Sequence, residues 1–146
     1  MPELGHIVLY VRNLKQSLDF YRNIVGLHEV GTVFNGRAAV LSGGRSHHEL
    51  LLIEMGDAPG PLAGRRLGLY HVGWKMGESL AELRAVKARL ESLNIEIEGM
   101  SDHTVSQGLY LSDPDGNEVE LFVDDPAVDW RKDSSWLEAP VRPLTL

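Results

Sequence analysis

Glu120 sits in an alternating apolar run, between Val119 and Leu121 of YLSDPDGNEVELFVDDP, Tyr110–Pro126. A charge in the middle of such a run is either a solvent-facing residue or a partner for a cation. Two histidines bear on the choice. His6 and His71 each stand near the start of a short apolar run, GHIVLYV and LYHVGWKM. Two neutral imidazoles and one carboxylate on one face of a sheet suit Fe(II), and leave coordination positions open for substrate and dioxygen. Taken singly, each histidine reads as an ordinary hydrogen-bonded residue and Glu120 as an exposed strand position. At matching places in a duplicated unit, the three read together as a metal set. The chain has six histidines and no cysteine. Disulfides, thiolate nucleophiles and Cys-based zinc sites are thereby excluded, and histidine is the natural metal ligand.

Such residues need strands to carry them. GHIVLYV is rich in Ile and Val and reads as a strand. Asn13 then caps a helix whose stripe is Leu14, Leu18, Tyr21 and Val25, and Gly26 ends it. LHEVGTVF and GRAAVLS read as strands around an Asn35-Gly36 hairpin turn, with HHELLLIEM as the fourth strand. GDAPGPLAGRRLG, Gly56–Gly68, has no periodicity and reads as a linker or lid-like loop, where Arg65 and Arg66 are solvated charges. The order then restarts. LYHVGWKM is a strand, and Ser79-Leu80-Ala81-Glu82 is a capping box opening a helix with Leu83, Val86, Leu90 and Leu93 on one stripe. NIEIEG, QGLYLS and NEVELFVD follow as strands, and the tail from Pro126, with Trp130 and Trp136, reads as irregular. Both halves thus read strand-helix-strand-strand-strand, and Val40-Leu41-Ser42 answers Tyr110-Leu111-Ser112.

Strand side chains alternate between two faces. By parity Ile7, Leu9 and Val11 oppose His6, Val8 and Tyr10; Val72, Trp74 and Met76 oppose His71, Gly73 and Lys75. Val119, Leu121 and Val123 oppose Glu118, Glu120 and Phe122, while Leu109 and Leu111 oppose Tyr110 and Ser112. Each time one face is apolar and suits packing on a helix, and the other carries His, Tyr or Glu. The polar residues of four strands therefore point away from the helix-covered core.

At 146 residues the chain is one domain's worth, and at 43% hydrophobic it has no apolar run of membrane-span length. A formal charge of −7 argues against a nucleic-acid partner. The start, Met1-Pro2-Glu3-Leu4, lacks the pattern of a signal peptide, so a cytoplasmic protein is expected.

GHIVLYVRNLKQSLDFYRNIVGL is similar to the opening motif, and LYLSDPDGNEVELFVDDP to the closing motif, of the vicinal oxygen chelate superfamily. That superfamily includes glyoxalase I, type I extradiol dioxygenases and fosfomycin- and bleomycin-resistance proteins. The resemblance runs from Leu4 to Pro126. It implies an α+β fold in which two tandem βαβββ modules form a cupped eight-strand mixed sheet around a divalent metal. One domain would span residues 1–146, with module one near 4–55, a linker near 56–68, module two near 69–125 and a tail over 126–146.

Small catechol 2,3-dioxygenase-like proteins of the extradiol branch match best. Their ligand set carries over to His6, His71 and Glu120, with Fe(II) as the expected metal and Mn(II), Ni(II) or Zn(II) as alternatives. RSHHELLL resembles their His-His pair on the fourth strand, which directs His48 toward the cavity as an acid–base residue in the oxygen chemistry. Tyr110, with His103 from SDHTVSQGLY, would hydrogen-bond the catecholate and assist its deprotonation. The implied partners are an aromatic small molecule, dioxygen and a second copy of the chain, with no nucleic acid and no membrane. Without the resemblance, His47-His48 is a polar strand start, Tyr110 a wall residue and His103 a surface-loop residue. Two other readings compete. A glyoxalase I-like lyase or isomerase would take a fourth ligand from the fourth strand, where Glu49 is nearest but shares by parity the core face of Leu51 and Ile53. A non-catalytic module would sequester an aromatic or drug-like ligand.

Overall fold

The computed structural model describes residues 1–146. The elements run β1 (Ile7–Val11), α1 (Leu14–Phe20), β2 (His28–Val33), β3 (Ala38–Ser42), β4 (Leu50–Glu54), β5 (His71–Gly77), α2 (Leu80–Ser92), β6 (Gly99–Asp102), β7 (Ser106–Ser112), β8 (Glu118–Asp124) and β9 (Arg142–Pro143). They form two sheets, ordered β1-β4-β3-β2 and β5-β8-β7-β6-β9. In each, the first strand of the repeat lies parallel to the fourth, and the other neighbours are antiparallel. The repeat read in the sequence is thus a repeat of topology, and the class is α+β with two tandem βαβββ halves. No helix is long and apolar enough to cross a membrane. The chain divides into two compact units: Met1–Gly64 with Asp113–Asn117, and Arg65–Ser112 with Glu118–Leu146.

In the first unit β1 alternates as its sequence does, with Val8 and Tyr10 exposed and Val11 buried. Asn13 caps α1, its Oδ1 accepting the Gln16 N–H at 2.9 Å. The buried stripe differs from the one expected: Leu14, Ser17, Phe20, Tyr21, Ile24 and Val25 face inward and Leu18 is half-buried. Leu14, Ser17, Phe20 and Tyr21 follow ordinary helical spacing, and a π-helical turn over Tyr21–Val25 carries the buried face on to Ile24 and Val25. Gly26, at φ 94°, ends it as predicted. Tyr21 is 2% exposed, and its hydroxyl donates to Asp113 Oδ2 at 2.8 Å. Burial, followed by the Asp113 charge, pushes that phenol far above its ordinary value. Asp113 Oδ1 also accepts the N–H groups of Asp115 and Asn117, closing the Asp-Pro-Asp-Gly turn, with Gly116 at φ 87°.

The fourth strand starts later than expected. His47, His48 and Glu49 precede β4 in a turn, and the core residues are Leu50 and Leu52, each at most 1% exposed, rather than Leu51 and Ile53. Glu49 causes this. Its carboxylate accepts the N–H groups of Gly43 at 2.5 Å and Ser46 at 2.7 Å, and so folds residues 43–49 back on themselves.

In the second unit α2 packs on β5, β7 and β8. Its cap is a variant of the predicted box: Ser79 Oγ accepts from Glu82 N–H, and Glu82 Oε2 accepts the Ser79 hydroxyl and the Glu78 N–H. Leu83 and Leu90 are fully buried against Leu109, Leu111, Leu121 and Val123, all at 0% exposure. Leu93 falls outside this core at 48% exposure, because α2 ends at Ser92 and Asn94 turns left-handed at φ 54°. NIEIEG alternates in burial but is not a paired strand over Ile95–Glu98. Ile95 N–H closes the helix end onto Leu90, and pairing begins where Glu98 N–H meets Tyr110 O at 2.8 Å. The tail is not wholly irregular, since Arg142–Pro143 adds β9 to the edge of β6.

Candidate active site

β8 pairs with β5 on one side and β7 on the other, so Glu120 lies opposite Gly73 and Tyr110. Strand alternation buries Val119, Leu121 and Val123 and turns Glu118 and Glu120 to the other face. There the side chains join. Tyr110 donates its hydroxyl proton to Glu120 Oε1 at 3.0 Å, and His103 Nε2 lies 2.9 Å from the same hydroxyl. A tyrosine has a single proton to give. With that proton on Glu120, the His103 nitrogen must be the donor in its contact with Tyr110. His71 Nε2 is 3.4 Å from Glu120 Oε2, and its Nδ1 is 3.2 Å from Glu118 Oε1. The network thus runs His103, Tyr110, Glu120, His71, Glu118. Burial, then the Glu120 charge and hydrogen bond, push the Tyr110 phenol well above its ordinary value. A cavity of ≈ 420 Å³ opens beside it, lined by Tyr70, Glu98, Ser101, His103, Tyr110 and Glu118 among others.

Two glycines make room for the carboxylate. A Cβ on Gly108 would fall on Glu120 Oε1, with Cγ at 3.1 Å and Cδ at 3.2 Å. A Cβ on Gly73 would stand 3.2 Å from Glu120 Oε2 and 3.3 Å from Phe122 Cε1. Glycine inside a strand marks a place where another group approaches the backbone closely, and here that group is Glu120 from both sides.

The first unit holds the other predicted residues. His6, just before β1, has its ring centroid 4.5 Å from that of His48, and His48 Nδ1 lies 2.6 Å from His47 Nδ1. Partial desolvation, then the neighbouring His47 and His6, hold His48 below the usual histidine range. Glu49 is 9% exposed and has both oxygens engaged by the backbone, with Arg45 Nε at 3.8 Å. Burial alone would raise its pKa; the Gly43 and Ser46 N–H groups outweigh that and hold it below the ordinary glutamate range.

The structure therefore brings His71, Glu120, Tyr110 and His103 together in one unit, and His6 and His48 together in the other. Within neither unit do three His, Asp or Glu side chains form a group able to hold a metal ion. The donors in the second unit nonetheless fit one. His71 Nε2 and Glu120 Oε2, 3.4 Å apart, keep a spacing open to neighbouring ligands of one ion at bond lengths of about 2.0–2.2 Å. Glu118, 3.2 Å from Nδ1, would hold the ring proton there with a metal on Nε2, as outer partners of metal-bound histidines do. Sequence reasoning put Glu118 on this face but gave it no role. It also overlooked Gly73 and Gly108, although glycine in two otherwise strand-forming runs was a visible signal.

A model of the Glyoxalase/Bleomycin resistance protein/Dioxygenase superfamily matches residues 3–121. Catechol-2,3-dioxygenase of Bacillus subtilis (strain 168) is 37% identical over 131 residues, which cover 89% of this chain and 44% of that protein. Biphenyl-2,3-diol 1,2-dioxygenase 2 of Rhodococcus globerulus is 28% identical over 84% of this chain and 63% of its own length. The chain thus spans less than two thirds of the curated relatives it matches. Among solved structures, a glyoxalase/dioxygenase from Nostoc punctiforme superposes with a TM-score of 0.73 at 21% identity, covering 84% of this chain and 90% of that one. Lactoylglutathione lyase from Agrobacterium tumefaciens gives 0.61 at 27% identity, covering 83% and 92%.

Proposed function

The chain belongs to the glyoxalase/bleomycin resistance protein/dioxygenase superfamily, and we propose that it acts there as a metal-dependent extradiol dioxygenase, opening a catechol-type ring with dioxygen. The observation that carries this reading is the Tyr110 hydroxyl, held between Glu120 and His103 on the face that carries His71. His71 and Glu120, with His6 as third ligand by the resemblance, are the residues proposed to hold the metal. Fe(II) bound by them would supply the redox centre at which a catecholate and dioxygen react. Both atoms of dioxygen enter the product as the ring C–C bond beside the diol breaks, so no external reductant is consumed.

The chain's own residues handle the protons. The Tyr110 phenol, disfavoured as phenolate by burial and by Glu120, stays protonated; its one proton rests on Glu120 in the free chain and would turn to a diol oxygen when substrate binds, a hydrogen bond rather than a charge. His103 holds the tyrosine oxygen from the far side and is its proton partner. His48, beside His6, is the proposed acid–base residue on the dioxygen side. Glu49 weighs against the lyase reading, because its two oxygens already hold the turn before β4. A cytoplasmic homodimer belongs to the same proposal, by likeness to the superfamily.

The test is oxygen uptake by anaerobically Fe(II)-loaded protein across catechols, with catechol and biphenyl-2,3-diol, the compounds in the relatives' names, as first members of the panel. Uptake with a yellow ring-opened product, abolished in His71→Ala and Glu120→Ala, is expected. No uptake by protein shown to carry the metal would overturn the proposal.

A further inference from the structure

Thr104 adopts a backbone conformation that a β-branched residue avoids. It lies at φ 71°, in the left-handed region, and the other non-glycine residues there are Phe34, Asn35 and Asn94. The Val105 N–H bonds back to His103 O at 2.9 Å, so Thr104 is the centre of a three-residue turn of the rare, strained hand. The surroundings enforce it. Asp102 Oδ1 accepts the Thr104 N–H at 2.8 Å and the Gln107 side-chain amide at 3.1 Å, His103 N–H meets Ser106 O at 2.9 Å, and Asp125 N–H meets Val105 O at 2.9 Å. The Thr104 hydroxyl is buried and has no hydrogen-bond partner, so it is not what holds the turn.

The turn fixes the residue before it. His103 stands opposite Ser106, and Tyr110 lies four residues further along β7, about 13 Å at the usual rise of a strand. To meet at 2.9 Å, the imidazole and the phenol must both reach along the sheet face toward each other. A small rotation of the His103 backbone separates them. Strain kept beside a functional side chain, where a glycine would relieve it, is a mark of positioning.

We propose that Thr104 is a positioning residue: its strained turn aims His103 at Tyr110 and so sets the tyrosine's proton toward Glu120. The consequence for turnover rests on the dioxygenase reading; the geometry does not. The experiment therefore begins with the metal-free 146-residue chain. Thr104→Gly and Thr104→Val are compared with wild type by thermal melting and by nitrogen NMR of His103, which reports which ring nitrogen carries the proton. Wild type should show a single tautomer protonated at Nε2. Thr104→Gly should melt at or a few degrees above wild type, about 2–6 °C if most of the strain is released, yet lose the single tautomer. Thr104→Val keeps the branched shape and drops the unpartnered hydroxyl, and should retain both melting temperature and tautomer. If Thr104→Gly keeps the tautomer, or melts below wild type, or if Thr104→Val loses the tautomer, the proposal is overturned. Oxygen uptake with a catechol then reads the coupling, with kcat of Thr104→Gly expected to fall about 10- to 100-fold. If wild type takes up no oxygen while the tautomer pattern holds, the dioxygenase reading fails and the positioning role stands.

Discussion

Replacing Gly108 by alanine puts a methyl group onto the Glu120 carboxylate, and three strand glycines around the site allow the effect to be graded. None of Gly73, Gly99 and Gly108 has a positive φ, so alanine is free to adopt each backbone conformation. With space available, Gly→Ala stabilises by about 0.4–1 kcal/mol through the unfolded state. At Gly99 the nearest atom to a new Cβ is Tyr110 Cδ2 at 3.7 Å, an ordinary contact. Gly99→Ala should therefore gain about 0.4–1 kcal/mol, about 1–4 °C in Tm. At Gly73 contacts of 3.2 and 3.3 Å, to Glu120 Oε2 and Phe122 Cε1, consume that gain, and Gly73→Ala should lie within about 0.5 kcal/mol of wild type. At Gly108 the clash reaches Cγ and Cδ of Glu120 at 3.1 and 3.2 Å as well as Oε1, so turning the carboxylate alone cannot relieve it. Overpacking of this kind costs about 1–3 kcal/mol, leaving a net loss of about 1–2 kcal/mol and a Tm lower by about 2–8 °C. Glu120 would also be pushed off Tyr110 and away from His71. Calorimetric melting ranks the stabilities, and titration with Mn(II) reads the site, where Gly108→Ala should weaken binding about 10- to 100-fold. Equal stability and equal affinity across the three variants would refute the cradle.

Other consequences are equally specific. Tyr21→Phe removes a buried hydrogen bond to the Asp113 carboxylate, whose remaining donors persist, and should cost about 1–2 kcal/mol by urea unfolding. Glu49 ionises more readily in the folded chain than in the unfolded one. The stability it contributes is therefore complete above the ordinary glutamate pKa and is lost as pH falls below that value through the folded one. Glu49→Gln should melt earlier than wild type at pH 7 and converge with it toward pH 3, whereas a constant gap across that range would contradict the assignment. Glu118→Ala frees His71 Nδ1 and should lower metal affinity about 10- to 100-fold while leaving the core, and so the melting temperature in the absence of metal, little changed.

Much of this fold is legible because strand parity and helix capping are local. The alternation in NEVELFVD reports the buried face of β8 residue by residue, and Asn13 and Ser79 mark the helix starts within one residue. What was not legible depends on side chains meeting backbone at a distance. The HHELLLIEM run looks like a strand from its first residue, yet Glu49 reaches back to Gly43 and Ser46, delays β4 to Leu50 and leaves His48 in a turn. The helix of the first half ends in a π-helical turn over Tyr21–Val25 that periodicity does not show, and the Tyr21 hydroxyl is tied to Asp113, far along the chain. In the candidate site, parity put Glu120, Tyr110 and His71 on one face. It could not show that His103 reaches Tyr110, which depends on the strained turn at Thr104, nor that Gly108 leaves Glu120 its space.

The central claim is the insertion of both atoms of dioxygen into a catechol-type ring. It is tested most directly by supplying ¹⁸O₂ to the Fe(II)-loaded protein with a catechol that it binds, and weighing the product by mass spectrometry. The account predicts a ring-opened product carrying two labelled oxygen atoms, one of them exchanging slowly with water from the aldehyde or ketone it forms. Recovery of the intact catechol, or of a product without label from prompt analysis, would contradict it.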